Sequence, residues 1–78
     1  MTVPTIHANG TSRQRLLEGY IEAFHAVQLA AQAVRSTAPN PRDYGPLALD
    51  AAVDEHMDRL RRLRDVQDEL EALINHCG

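Results

Sequence analysis

The sequence predicts an all-α protein: an antiparallel two-helix hairpin that assembles into a homo-oligomeric helical bundle. Two long segments carry apolar residues at helical spacing, and a Pro- and Gly-rich break, "APNPRDYGP" (38–46), separates them. The apolar stripe of the first segment is also wider than one neighbouring helix can cover. Seventy-eight residues allow one small domain. We expect an extended N-terminal segment over 1–10 and the helical hairpin over 11–78.

The first helix is predicted over about 12–36. Thr11 can act as its N-cap, and Gln14 follows three residues later, as in a capping box. Pro39 and Pro41 end it, because the residue before a proline avoids the helical region. Its stripe consists of two adjacent rows: Leu16, Tyr20, Ala23, Val27, Ala30 and Val34, and Leu17, Ile21, Phe24 and Ala31.

The second helix is predicted over about 46–76, after a hinge at 37–45. Pro46 suits a first helical turn. On the face opposite its apolar residues, an acid precedes an arginine by four residues, which is the favourable order, at Glu55–Arg59 and Asp58–Arg62. The "RLRRLR" run at 59–64 therefore indicates a salt-bridged, solvated face, except for Arg59, which flanks the apolar arc of the helix. The apolar positions follow a spacing close to a heptad: Val53, Met57, Leu60, Leu63, Val66, Leu70, Leu73 and Cys77.

A lone hairpin gives each helix only one neighbour, so part of each stripe stays uncovered. We therefore expect a homo-oligomer, with a dimer forming a four-helix bundle as the simplest case. The alternative is a monomer whose N-terminal segment folds back over the stripe.

Composition narrows the class of partner. The net charge of −3 argues against a general DNA or RNA binder. The N-terminus lacks the features of a signal peptide and no apolar run is long enough for a membrane span, so we expect a cytoplasmic protein, in a bacterial host cell, with no membrane partner. All eight basic residues are arginine. A GC-rich genome explains this, but guanidinium groups also suit bidentate anion binding.

The histidines raise the question of a metal site. Glu22 and His25 form an E-x-x-H pair, but the second helix has Val53 where a matching glutamate would precede His56. We therefore predict no metal. A fold about position 41 or 42 would set residue i level with 83 − i and bring His25 near His56. His56 falls on the core-facing arc, where a carboxylate or carbonyl could satisfy it, or it could face an inter-subunit cavity with Arg59.

Two polar clusters could bind a ligand. The first, Asn9, Gly10, Thr11 and Ser12, precedes a helix, where free N–H groups either bind an anion or are simply capped.

The hinge is the second cluster. Asn40 and Asp43 suit turns, whereas Arg42 and Tyr44 could hold a phosphate and stack on a base. Alternatively, Tyr44 packs on the hairpin end and Arg42 pairs with Asp43 or Asp50.

Catalysis is not expected. The chain has neither a Ser-His-Asp nor a Cys-His arrangement that could be argued, and Cys77 lies at a helix end beside His76 without an orienting group. It also lacks a Gly-rich phosphate loop. We predict a protein that is not an enzyme and uses no cofactor.

The pattern "IHANGTS … APNPRDYGP … EH … RL" resembles a group of small helical proteins encoded in phages, prophages and bacterial genomes, over nearly the whole chain. The group typically shows H-x-N-G-T-S, A-P-N-x-R-D-Y and E-H-x-x-R-L segments. Gly45 departs from it, since the pattern often has a second aromatic there. The resemblance implies that the recurring polar positions form the site: His7, Asn9, Gly10, Thr11, Ser12, Asn40, Arg42, Asp43, Tyr44, His56 and Arg59.

By analogy with compact phage proteins of this architecture, we expect an anti-defence sponge that sequesters a cyclic nucleotide immune signal without catalysis. A 25-residue helix spans about 37 Å, so the NGTS start and the RDY hinge can share a ligand only across subunits. The competing expectation is a homo-oligomeric assembly or protein-interaction module with no small-molecule ligand.

Overall fold

Two long helices and one short 3-10 turn are the regular elements of the part of the chain that the structure describes. The computed structural model describes residues 1–6 and 12–78, with α1 at Arg13–Arg35, a 3-10 turn at Pro41–Asp43 and α2 at Pro46–Cys77. The two α-helices pack against each other, so the predicted all-helical hairpin is confirmed. Asn9, Gly10 and Thr11, together with His7, lie outside the described residues.

The N-cap of α1 is one residue later than predicted. Ser12 has an extended backbone, and its Oγ accepts a hydrogen bond from the backbone N–H of Arg15 at 3.2 Å. Gln14 is therefore the second residue of the helix, too early for a capping box. Its Nε2 instead donates to Glu18 Oε1 at 3.2 Å along the helix surface. Ser and Thr are both good N-caps, so the sequence "TS" alone does not choose between them.

Side-chain hydrogen bonds close the end of α1. Ser36 and Thr37 each donate a hydroxyl hydrogen bond of 2.6 Å to the carbonyl oxygen three residues earlier. In the linker that follows, Asn40 Oδ1 accepts from the backbone N–H of Arg42 at 3.0 Å, as predicted for an Asn turn. Gly45 is the N-cap of α2 and Pro46 is its first residue.

The predicted ion pairs of α2 are present. Arg59 lies 3.9 Å from Glu55, and Arg62 lies 3.2 Å from Asp58. Asp58 also pairs with Arg61, so one carboxylate serves two guanidinium groups. All three pairs are at least 41% exposed at both side chains, so each contributes at most about 1 kcal/mol.

The linker is not a simple turn at the tip, because it runs back beside α2. Thr37, Pro39 and Tyr44 line one pocket with residues from the first four turns of α2. At the other end of the hairpin, Arg13 shares a pocket with Cys77. Leu17 also shares a pocket with Cys77, and Val34 shares one with Leu63. Residue i of α1 therefore lies level with residue 90 − i of α2 or with a later residue.

This register corrects the predicted fold about position 41 or 42. It is shifted by at least about two helical turns from the predicted one, so His25 and His56 lie more than about 10 Å apart along the axis. The two histidines, which a fold about position 41 or 42 would bring near each other, are therefore not neighbours. His25 is exposed, whereas His56 is buried against α1.

The hairpin buries few side chains. Among the described residues, only two apolar residues are buried, Ala31 and Cys77. The accessible surface is 5982 Å², whereas a compact protein of 8.7 kDa exposes about 4700 Å². Ile21 and Met57, one from each predicted stripe, remain 37% and 59% exposed. The stripes are thus unfinished within one chain, as the periodicity predicted.

Residues 1–6 do not cover these stripes. Residues 1–6 lie beside the end of α2, where a ring nitrogen of His76, Nε2, is 2.9 Å from the carbonyl oxygen of Pro4. Val3, Pro4 and Ile6 line a pocket there with Cys77, whose side chain is 1% exposed. The described part of the segment therefore packs on one end of the hairpin and leaves the stripe residue Met57 exposed. Within the described residues, neither helix has an apolar stretch long enough to cross a bilayer.

Candidate functional site

The hinge forms a pocket that contains two of the predicted ligand-binding residues. Its volume is about 290 Å³, and we call it the hinge pocket. Tyr44 comes from the linker and Arg59 from the fourth turn of α2. The linker runs back along α2, and this path is what brings the two side chains to one pocket. The lining residues are Thr37, Pro39, Tyr44, Ala48, Ala51, Ala52, Glu55 and Arg59.

Small side chains give the hinge pocket a low floor. Ala48, Ala51 and Ala52 occupy the first two turns of α2 and lie on one side of the helix. A methyl floor leaves room for a flat ring to approach the helix backbone. Tyr44 is 42% exposed beside this floor, so one part of its surface packs and the rest is available. The pocket can therefore accept an aromatic group against an aromatic wall.

Charge at the hinge pocket is only loosely neutralised. Arg59 and Glu55 are 3.9 Å apart, and their side chains are 52% and 68% exposed. A pair this long and this exposed holds its partners weakly. The Arg59 guanidinium is therefore able to turn toward an anion, and the Glu55 carboxylate can accept hydrogen bonds from an amino group.

The rest of the hinge divides into a structural part and a free part. The amide oxygen of Asn40 is occupied by the Arg42 backbone N–H, so Asn40 holds the turn. Asp43 ends the 3-10 turn, and its backbone N–H donates to the Asn40 carbonyl oxygen at 2.9 Å. Within residues 1–6 and 12–78, the Arg42 guanidinium forms no ion pair with Asp43 or Asp50. Arg42 is exposed and open to a ligand or a partner.

His56 lies apart from this pocket. It is 6% exposed and packed between the helices, as its core-facing position predicted. Its Nδ1 is buried and has no hydrogen-bond partner among the described residues, so neither the expected carboxylate nor the expected carbonyl is present there. The lining of the hinge pocket includes Glu55 and Arg59 but not His56. A cavity between subunits that both His56 and Arg59 would face stays a prediction.

Ser12 is far from the hinge within one chain. It caps the start of α1, and the 23 residues of that helix span about 34 Å before the linker begins. Its Oγ is already engaged by the Arg15 N–H. One chain therefore does not bring Ser12 together with Tyr44, and the remaining predicted residues of the NGTS cluster lie outside the described part.

Sequence reasoning missed the floor and one wall of the hinge pocket. Ala48, Ala52, Glu55 and Arg59 follow each other at spacings of four, three and four, which places them on one face of α2. That spacing was visible in the sequence. It was not informative until the linker was known to lie on the same face.

Comparison with known proteins gives no further guide. Neither the family models, nor the curated proteins, nor the solved structures contain a match to this chain. Among residues 1–6 and 12–78, no three His, Cys, Asp or Glu side chains cluster as metal ligands would. The functional assignment therefore depends on the chemistry of the hinge pocket and of the open helix faces.

Proposed function

We propose that this protein is a phage-type anti-defence protein that binds and sequesters a cyclic nucleotide immune signal at sites completed between subunits, without catalysis. The observation that carries the proposal is the hinge pocket, where Tyr44 and Arg59 border a floor of alanines. The resemblance to small phage-encoded helical proteins supplies the biological setting.

Three kinds of side chain at the hinge match the base and the phosphate of a nucleotide. The ring of Tyr44 suits stacking on a base. The guanidinium groups of Arg59 and Arg42 suit phosphodiester oxygens, because their fork of N–H donors can bind two oxygens at once. The carboxylate of Glu55 suits the amino group on the edge of a purine. These roles bind a nucleotide and require no bond to be broken.

The volume of the hinge pocket and the exposed surface of the chain both favour a site that a second subunit completes. A pocket of about 290 Å³ is at the lower limit for a small-molecule site, which is usually about 300–1,000 Å³. The chain also exposes roughly 1,300 Å² more surface than a compact protein of its mass, an area of the order that a stable interface buries. An antiparallel second copy would cover open stripe and bring its Ser12 end beside the first copy's hinge.

The second candidate is a homo-oligomeric assembly or protein-interaction module that binds no small molecule. The open stripe itself favours it, since Ile21 and Met57 need a partner whether or not a ligand exists. In that case Arg42 and Tyr44 contact another protein subunit, and the Arg59–Glu55 pair stays intact.

Native mass spectrometry tests the first proposal. The protein is purified after expression in bacteria that produce cyclic oligonucleotide signals, and bound small molecules are released by denaturation and identified. We expect an oligomer with added mass in nucleotide-sized steps. Empty protein, which stays empty after incubation with a panel of cyclic di- and trinucleotides, refutes the sponge function.

Point variants separate the two candidates. Tyr44→Ala and Arg42→Ala should abolish nucleotide binding and leave the oligomer mass unchanged, whereas Tyr44→Phe keeps the ring and should retain most of the affinity. Arg62→Ala is the matched control, because Arg62 is an exposed arginine of α2 that does not line the hinge pocket. Loss of the oligomer in Tyr44→Ala and Arg42→Ala, with no ligand found, would instead support the assembly module.

A further inference from the structure

A second pocket, on the other side of α2 from the hinge pocket, carries three arginines. Arg35 comes from the last turn of α1, and Arg61 and Arg64 come from α2. The pocket has a volume of about 300 Å³, and we call it the arginine pocket. It shares no residue with the hinge pocket. Its other lining residues are Ala31, Met57, Leu60 and Gln67.

The positive charge of the arginine pocket is mostly uncompensated. Among the described residues, neither Asp nor Glu lines it. Arg61 is paired with Asp58, but Asp58 also serves Arg62 on the far side of the helix. Within the same residues, Arg35 and Arg64 form no ion pair. The chain as a whole, by contrast, has a net charge of −3.

The ordinary role of one of these arginines does not explain the cluster. A basic residue in the last turn of a helix stabilises the negative end of its dipole, and Arg35 has that position in α1. Arg61 and Arg64 lie in the middle of α2, where no helix end needs them. Three like charges around one pocket repel each other, and an anion between them removes that repulsion.

We infer that the arginine pocket binds a multiply charged phosphate group, either free pyrophosphate or the diphosphate of a nucleotide. Guanidinium groups from two helices can hold several phosphate oxygens at once, and the Gln67 amide adds a further donor. Ala31, Met57 and Leu60 line the floor of the pocket. None of them is aromatic, so the pocket offers no surface on which a base could stack. This inference does not depend on the proposed function, because the two pockets share no residue.

Isothermal titration of the whole protein with pyrophosphate, uridine and uridine diphosphate tests the inference. We expect saturable binding of pyrophosphate at one site per chain and none of uridine. If only uridine diphosphate binds, and the pocket variants lose it, the inference stands with a nucleotide as the source of the phosphates. Absence of saturable binding of both phosphate compounds overturns it.

Variants locate the site. Arg35→Ala and Arg64→Ala should each weaken pyrophosphate binding roughly 10- to 100-fold, the range for a lost hydrogen bond to a charged group. Arg62→Ala, an exposed arginine of the same helix outside this pocket, should change it less than about threefold. Tyr44→Ala should leave pyrophosphate binding intact, which separates this site from the hinge pocket.

Two further results would overturn the inference. An equal loss of pyrophosphate affinity in Arg35→Ala, Arg64→Ala and Arg62→Ala would mean that binding depends only on the overall charge of the protein. The pocket variants could instead bind pyrophosphate as the unmodified protein does but change the oligomer mass. That result would mean that acidic side chains of another subunit cover the pocket. Far-UV circular dichroism of every variant shows that the helices are retained.

Discussion

Substitution of His56 tests the packing of the hairpin most directly. His56 is 94% buried, and its Nδ1 has no hydrogen-bond partner among the described residues. A buried polar atom without a partner costs about 1–3 kcal/mol of stability. His56→Leu removes that atom and keeps an apolar side chain of similar length between the helices. We therefore expect it to raise the free energy of unfolding by about 1–2 kcal/mol.

His56→Ala separates this effect from simple truncation. Alanine also removes the unpaired nitrogen, but it leaves a cavity and loses the contacts of the ring. We expect a loss of about 2 kcal/mol, so the two variants should differ by about 3–4 kcal/mol. For a chain of this size, 1 kcal/mol shifts the melting temperature by about 4–8 °C.

The assay is thermal unfolding followed by far-UV circular dichroism, at one protein concentration, because self-association would make the melting temperature concentration-dependent. His25→Leu is the matched control, since His25 is exposed on α1, and it should change stability by less than about 0.5 kcal/mol. If His56→Leu melts below the unmodified protein, the Nδ1 atom has a partner in the folded protein and the reasoning is wrong.

Three further changes test the local structure. Gly19→Ala should add about 1 kcal/mol of stability by thermal unfolding, because a Cβ there meets nothing within 4 Å and alanine favours the helix interior. Unchanged or lower stability would mean that another subunit packs against Gly19. Ser12→Ala should lower the stability by about 0.5–2 kcal/mol in the same assay, because the N-cap hydrogen bond is lost. Ser12→Thr keeps a hydroxyl at the N-cap and should retain most of that stability. His76→Ala removes the contact to Pro4, so the buried Cys77 thiol should react faster with a thiol reagent in the folded protein; an unchanged rate would show that residues 1–6 do not shield it.

Much of the fold follows from local sequence rules. The two helices, their approximate ends and the ion pairs of α2 depend on periodicity, proline positions and i,i+4 spacing, all of which act within a few residues. The N-cap was misplaced by one residue, from Thr11 to Ser12, because both side chains can accept the same hydrogen bond. The position of His56 in the core was also predicted, since helical phase alone decides which side of α2 it occupies.

The candidate sites were less predictable. Tyr44 is a predicted site residue because its ring can stack on a base, and Arg59 because it flanks the apolar arc of α2. The sequence did not indicate that they share a pocket with an alanine floor, because that depends on the path of the linker. The arginine pocket combines Arg35 with Arg61 and Arg64, residues that only the register of the two helices brings together.

The sequence by itself therefore determined the elements of this protein: two amphipathic helices, a proline-rich linker and stripes too wide for one hairpin. Only the tertiary structure decided how far the helices slide past each other, where the linker lies and what residues 1–6 cover. The physical reason is the range of the interactions. Helix propensity, capping and proline geometry act over a few neighbouring residues, whereas register comes from side chains packing across the hairpin. A shift of two turns changes which residues meet without changing any local pattern.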